Sequence, residues 1–340
     1  MPNEVNFGSA DWVEVAELLA ALGKRVRAEV CGSARPASDS EVVGFGGGDT
    51  IFRIDTRAEA TIRQAVADWP DRFKPLALFG EGFGEAGMTA IGVGAPRLAL
   101  LIDPIDGTRG LMYDKRSAWF IAAAAPYQLD GLSLSKVCAS ALVELPTSKA
   151  GAFDVFLHAQ GRGLTAERID MRDGRARAWR PQPSQAVSLD FGFAQVSNFF
   201  PGTKVLAADL MERIATAASE PAREGESLVF DDQYISTGGQ FVELLCGHDR
   251  FCCDLRPLFN RIRAGRRDTD RPGIECHPYD AAGLEILRAA GVIVTDGWGR
   301  ELDAPFDNTT GVHWCGYANE TLRGLIEPVI QGWLKEKLPG

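Results

Sequence analysis

Residues 98–102, Leu-Ala-Leu-Leu-Ile, run directly into Asp103-Pro104-Ile105-Asp106-Gly107-Thr108. A short apolar run bounded by charge suits a buried strand. A buried strand that ends in two carboxylates must offset their charge by pairing, protonation or a bound cation, because an uncompensated anion leaving an apolar strand is costly. Pro104 stiffens the turn between the acids, and Gly107 lets a ligand approach the backbone closely. The N–H groups of Gly107 and Thr108 are then placed to face an anion. Hard oxygen donors around a small cation select Mg²⁺ or Mn²⁺. Read alone, the run also fits an Asp-Pro turn that caps a helix with solvated acids.

Three further acids stand at similar boundaries. Glu81 ends the apolar run 76–80, and Asp55 follows the extended piece 51–54, just before a helix predicted over 56–69. Asp280 opens a helix predicted over 280–290. Each has a plainer role, Asp55 and Asp280 as N-caps and Glu81 as a loop acid. Four acid-bearing segments, each following apolar residues, are explained more simply by one shared site.

The remaining sequence supplies the frame. A chain of 340 residues suggests two lobes. Apolar periodicity predicts helices over 11–28, 207–218, 238–246 and 320–338, and strands over 76–79, 98–102, 119–125, 137–145, 227–230 and 292–295. Residues 31–48 read as a polar, Gly-rich loop, and 256–271, with six Arg, as an insertion. The charged, Pro-punctuated stretch 162–183 reads as surface hairpins and carries the lobe boundary, dividing the chain into 1–183 and 184–340. Helices and strands mixed through both halves imply a layered α/β sandwich.

Composition narrows the function classes. Hydrophobic residues make up 45% and charged residues 24%, which excludes disorder and small disulfide scaffolds. With 46 acidic and 36 basic residues the net charge is −10, which repels nucleic acid polymers and anionic membranes. A phosphorylated small molecule is repelled equally unless a cation intervenes. Seven Cys without a CxxC pair, and only four His, fit no zinc motif and point to reduced thiols in a cytoplasmic protein. The N-terminus lacks the basic start and apolar run of a signal peptide, and the longest apolar stretch, 118–126, is about half a membrane span.

Gly82, Gly84 and Gly87 spell GxGxxG, with Asp103 ending the next apolar run, as in a dinucleotide site. The packing helix of such a site would have to cover 88–97, where Gly92, Gly94 and Pro96 are poor helix formers. A loop is the better reading.

The DPIDGT run at 103–108, together with Asp280-Ala281-Ala282-Gly283 and the following Ala-Ala-Gly-Val-Ile-Val-Thr-Asp-Gly at 289–297, resembles the paired signatures of the inositol monophosphatase and fructose-1,6-bisphosphatase superfamily of metal-dependent, lithium-sensitive phosphatases. The resemblance spans about residues 11–330. It implies an αβαβα sandwich of the sugar phosphatase type and hydrolysis of a small phosphorylated sugar or cyclitol. It further implies that Glu81, Asp103 and the Ile105 carbonyl hold one Mg²⁺, that Asp103, Asp106 and Asp280 hold a second, and that a weaker third lies between Glu81 and Asp55. Thr108, oriented through Asp55, would help deprotonate the attacking water, and the Gly107 and Thr108 amides would cradle the phosphate. Substrate contacts are implied for Ser236, Thr237, Gly238 and His277, and a homodimer is expected.

Some residues depart from the usual pattern. Tyr279 stands where a Trp is usual, and Arg109-Gly110-Leu111 looks more like the bisphosphate nucleotidases and histidinol-phosphate phosphatases, whereas the 47–55 loop resembles the archaeal-type fructose bisphosphatase/inositol phosphatase enzymes. A 3'(2'),5'-bisphosphate nucleotidase is therefore the alternative enzyme. A non-catalytic sugar-phosphate sensor is the alternative outside enzymes, although none of its acidic or hydroxyl positions has been lost. The Arg-rich segment could serve a second phosphate or a sugar carboxylate, or be an exposed basic loop.

Overall fold

The computed structural model describes residues 7–31, 37–46, 49–83, 88–221, 223, 226–264 and 273–338. Its centre is an eight-stranded sheet in the order Ala176–Trp179, Gly163–Asp170, Ala152–Ala159, Ala139–Leu145, Ala118–Pro126, Leu98–Asp106, Leu76–Gly80 and Met88–Ile91. A five-stranded sheet follows in the order Val229–Phe230, Gly192–Val196, Asp249–Asp254, Trp314–Tyr317 and Ile293–Thr295. The chain changes sheet between Trp179 and Gly192.

Three apolar clusters define five layers. Helices Ser9–Val30 and Arg53–Ala67 cover one face of the large sheet, meeting Leu98, Leu100 and Ile102. The opposite face, with Ala99 and Leu101, packs on helices Thr237–Leu245 and Leu284–Ala290, which also meet Cys252 and Trp314 of the small sheet. Helices Lys204–Ala218, Arg256–Ala264 and Glu320–Lys337 close the far face of that sheet over Phe251, Cys253 and Tyr317. The αβαβα sandwich expected from the sequence is the architecture observed. Every residue of Leu98–Asp106 is buried, as a strand covered on both faces must be. Cys252 and Cys253 point into different layers, and all seven cysteines are free thiols.

The structure corrects several expectations. The second helix starts at Arg53, so Asp55 lies inside its first turn and not before it. The loop expected at 31–48 contains a short 3₁₀ turn, Ala37–Ser40, and the strand Val42–Gly46, which forms a hairpin with Asp49–Phe52. The loop read around the GxGxxG run gives way to the strand Met88–Ile91, not to the helix a dinucleotide site needs, and Gly84 and Gly87 lie outside the described residues. Ala152–Ala159 is a central strand that periodicity misses, because Asp154 interrupts its apolar pattern; the acid is paired with Arg168 on the neighbouring strand at 2.7 and 2.8 Å. The Arg-rich segment begins as the helix Arg256–Ala264, with Leu258, Phe259 and Ile262 buried, whereas 265–271 lie outside the described residues. Asp280 sits in a run of turns, four residues before the helix it was expected to open. Among the described residues no helix is long and apolar enough to cross a membrane.

Candidate active site

Strand register gathers the first acids. Leu76–Gly80 runs parallel to Leu98–Asp106 with Gly80 opposite Ile102, so Glu81 leaves the sheet beside Asp103. Asp103 and Asp106 are an odd number of positions apart and would point to opposite faces of a regular strand. A bulge prevents this: Asp103 pairs with Ile121 and Asp106 with Trp119, so three steps on one strand match two on the other. The side chain of Ile105 therefore enters the outer helical layer, and both carboxylates reach the middle one. Gly107, at φ +96°, then takes the left-handed turn that starts the short helix Thr108–Met112.

Asp103, Asp106 and Asp280 each bring a carboxylate oxygen within 4.8 Å of the others. Asp103 and Asp106 are 2% and 8% exposed. Burial, reinforced by Glu81, Asp106 and Asp280, holds the Asp103 carboxyl far above the usual carboxylate range. Burial and the charge of Asp280 push Asp106 up to about 8, and burial also raises Asp280. Glu81 lines the same cleft, as do Asp55, Ile105, Gly107 and Thr108.

Two supports hold these groups. Asp55 Oδ2 accepts from the Phe52 amide at 2.8 Å, and Asp55 Oδ1 accepts from Thr108 Oγ1 at 3.0 Å. The same hydroxyl lies 2.8 Å from the Ile105 carbonyl oxygen, so one proton has two acceptors. Asp106 Oδ2 accepts from Ser236 Oγ at 2.8 Å and from the Gly238 amide at 2.6 Å. Ser236 also caps its helix by accepting from the Gly239 amide at 2.9 Å. A Cβ on Gly238 would sit 2.9 Å from Ile121 Cδ1 and 3.2 Å from Asp106 Oδ2. Ser236 and Gly238, expected as substrate contacts, thus both donate to Asp106, and Ser236 also lines the cleft. Thr237 lines the cleft, with its hydroxyl directed to Cys276 Sγ at 3.8 Å. His277 donates its amide to Asp280 Oδ2 at 2.6 Å, and its Nδ1 faces the Thr310 carbonyl at 3.1 Å.

No protein-family model matches the chain, and no curated protein matches it in sequence. Solved structures do match. One is a hypothetical protein from Pyrococcus horikoshii described as having similarities to inositol-1 monophosphatase, at 14% identity and TM-score 0.60 over 95% of this chain and 99% of that one. Another is holo fructose-1,6-bisphosphatase from Leishmania major, at 14% identity and TM-score 0.60 over 98% and 95%. A third is SuhB from Mycobacterium tuberculosis, at 16% identity and TM-score 0.58 over 97% and 98%. The chain shares the fold of these structures over nearly its whole length.

Within that fold, the acidic cluster fits a divalent cation by its own chemistry. Three buried carboxylates are packed together, and the guanidinium of Arg256, which also lines the cleft, is bound to Asp254 at 2.6–2.9 Å. Such a group must protonate or bind a cation, and its all-oxygen donor set suits Mg²⁺ or Mn²⁺. Sequence reasoning missed Arg256 and Asp254 as a pair, and missed Phe199 and Phe200 in the cleft wall. The first miss has a local signal in the i, i+2 spacing of the pair; the second has none.

Proposed function

We propose that the protein is a Mg²⁺-dependent phosphomonoesterase acting on a small phosphorylated metabolite, a phosphorylated sugar or cyclitol being the class the resemblance implies. The observation that carries this reading is the convergence of Asp103, Asp106 and Asp280 beside the Thr108–Asp55 pair. Glu81, Asp103 and the Ile105 carbonyl would hold one ion, and Asp103, Asp106 and Asp280 another, with a third between Glu81 and Asp55. Divalent ions held there supply charge neutralisation for the phosphoryl oxygens and lower the pKa of water.

The chain's own groups do the rest. With the Ile105 carbonyl engaged, the Thr108 proton goes to Asp55, and the lone pairs of Thr108 Oγ1 accept a hydrogen bond from the attacking water and orient it. Asp55 is kept in place for this by the Phe52 amide. The Gly107 and Thr108 amides, at the cleft, bind the phosphate; the water oxygen bonds to phosphorus as the P–O bond to the alcohol breaks, one water proton ends on the departing alcohol oxygen, and the phosphate leaves as inorganic phosphate. Fixed donors of this kind favour the charge that develops during transfer.

Phosphate release from a panel of sugar, cyclitol and nucleotide phosphates, with Mg²⁺ and with chelator, tests the proposal. Release is expected only with the cation, and Asp106→Asn should lower it about 10²-fold or more, the scale of losing one preorganised transition-state contact. Equal turnover in chelator, or an unimpaired Asn variant, overturns the mechanism.

A further inference from the structure

Beyond the carboxylates, the same cleft is lined by Phe199, Phe200, Ile235, Ile274, Tyr279 and Arg256. Arg256 is fixed in place. Its Nε and Nη2 donate to Asp254 at 2.6–2.9 Å, and its Nη1 donates to the Ile274 carbonyl at 3.2 Å. The Asp254 side chain is 0% exposed, so the ion pair is internal and nearly neutral. That leaves Arg256 no free charge for a second phosphate group, and the other guanidinium lining the cleft, Arg109, lies over the Phe52 ring at 5.3 Å. What remains of Arg256 is a flat, weakly hydrated face, with its guanidinium carbon 5.2 Å from the Phe199 ring centre and 5.8 Å from that of Phe200.

The polar lining leads to the same place. Ser236 serves Asp106 and Gly239, Thr108 serves Asp55 and Ile105, and Thr237 is directed to Cys276. His277 Nδ1 is tied to Thr310, and Glu275 Oε1 accepts from Asn260 at 2.8 Å. A polyol carries hydroxyls around its frame, and each one that loses water on entry needs a partner in the site. Here the hydroxyls of Ser236, Thr108 and Thr237 are already engaged, and most of the wall beyond the carboxylates is aromatic rings and aliphatic side chains.

We infer that the alcohol half of the substrate carries a planar, unsaturated ring that packs beside Arg256 with its face on one of the Phe199 and Phe200 rings and its edge to the other, the two standing at 87°. The inference rests on the phosphomonoesterase reading and narrows its phosphorylated-sugar class to members bearing such a ring. Base–aromatic and base–guanidinium stacking supply the recognition.

Inosine 5'-monophosphate and ribose 5-phosphate share the pentose and the primary phosphate and differ in the ring, so the ratio of their kcat/KM values with Mg²⁺ is the test. The ring-bearing ester is expected to be favoured at least about tenfold, mainly through KM, and Phe199→Leu and Phe200→Leu should each lower the ratio severalfold. A ratio of one or less in the unmodified protein, or a ratio that neither Leu variant changes, overturns the inference while leaving the phosphomonoesterase reading intact. If the Leu variants do not fold, the unmodified protein's ratio decides alone. Absence of Mg²⁺-dependent hydrolysis of both esters and of p-nitrophenyl phosphate defeats the underlying reading and the inference with it.

Discussion

Ser236→Ala separates support of the cation site from contact with substrate. Ser236 is 3% exposed, and its one oxygen both donates to Asp106 and caps the helix through Gly239. Loss of a helix cap costs about 1 kcal/mol, and loss of a hydrogen bond to a carboxylate about 1.5–3 kcal/mol. Because one atom makes both contacts, the total should be about 2–4 kcal/mol, read from denaturant unfolding. Asp106 keeps the Gly238 amide and loses its hydroxyl donor. Partners that orient a ligating carboxylate are typically worth about 10–100-fold in metal affinity. The Mg²⁺ concentration giving half-maximal phosphate release should rise by that factor, while KM at saturating Mg²⁺ stays near its original value. The opposite pattern, a raised KM with an unchanged Mg²⁺ requirement, would make Ser236 a substrate contact and refute the argument from geometry.

Two more outcomes follow from charge. In chelator, burial and Asp280 push Asp106 up to about 8 against 3.8 ordinarily; the folded state binds the extra proton, so this group's contribution to stability is full below about pH 4 and falls as pH rises towards 8, by up to about 1.4 kcal/mol per pH unit. Melting temperature in chelator should therefore drop between pH 5 and 8, and Mg²⁺ should flatten the profile; a flat profile in chelator would show that the acids are not held as described. Arg256→Met leaves the fully buried Asp254 without its partner and should cost about 3–5 kcal/mol in denaturant unfolding. A loss below 1 kcal/mol would mean that the pair contributes little.

Sequence and structure agree best where the chemistry is local. The apolar run 98–102 and its two terminal acids announce both the buried strand and the oxygen cluster, because strand, turn and ligand type occupy eleven consecutive residues. The parity change between Asp103 and Asp106 was not legible, since a bulge is defined by its partner strand. Nor was the role of Ser236 and Gly238, whose contacts span 130 and 132 positions. Arg256 misled in another way: a high density of Arg reads as a solvated loop, and only the burial of Leu258, Phe259 and Ile262 on the same helix reveals a packed element.

The tie from Asp106 to Ser236 and Gly238 also has a bearing on biosynthesis. A nascent chain that has emerged only as far as the large sheet already carries Glu81, Asp103 and Asp106, but it has neither the donors that aim Asp106 nor the carboxylate of Asp280. On the phosphomonoesterase proposal, tight ion capture waits until translation has passed the last of these positions, and a product truncated before Asp280 is expected to release no phosphate.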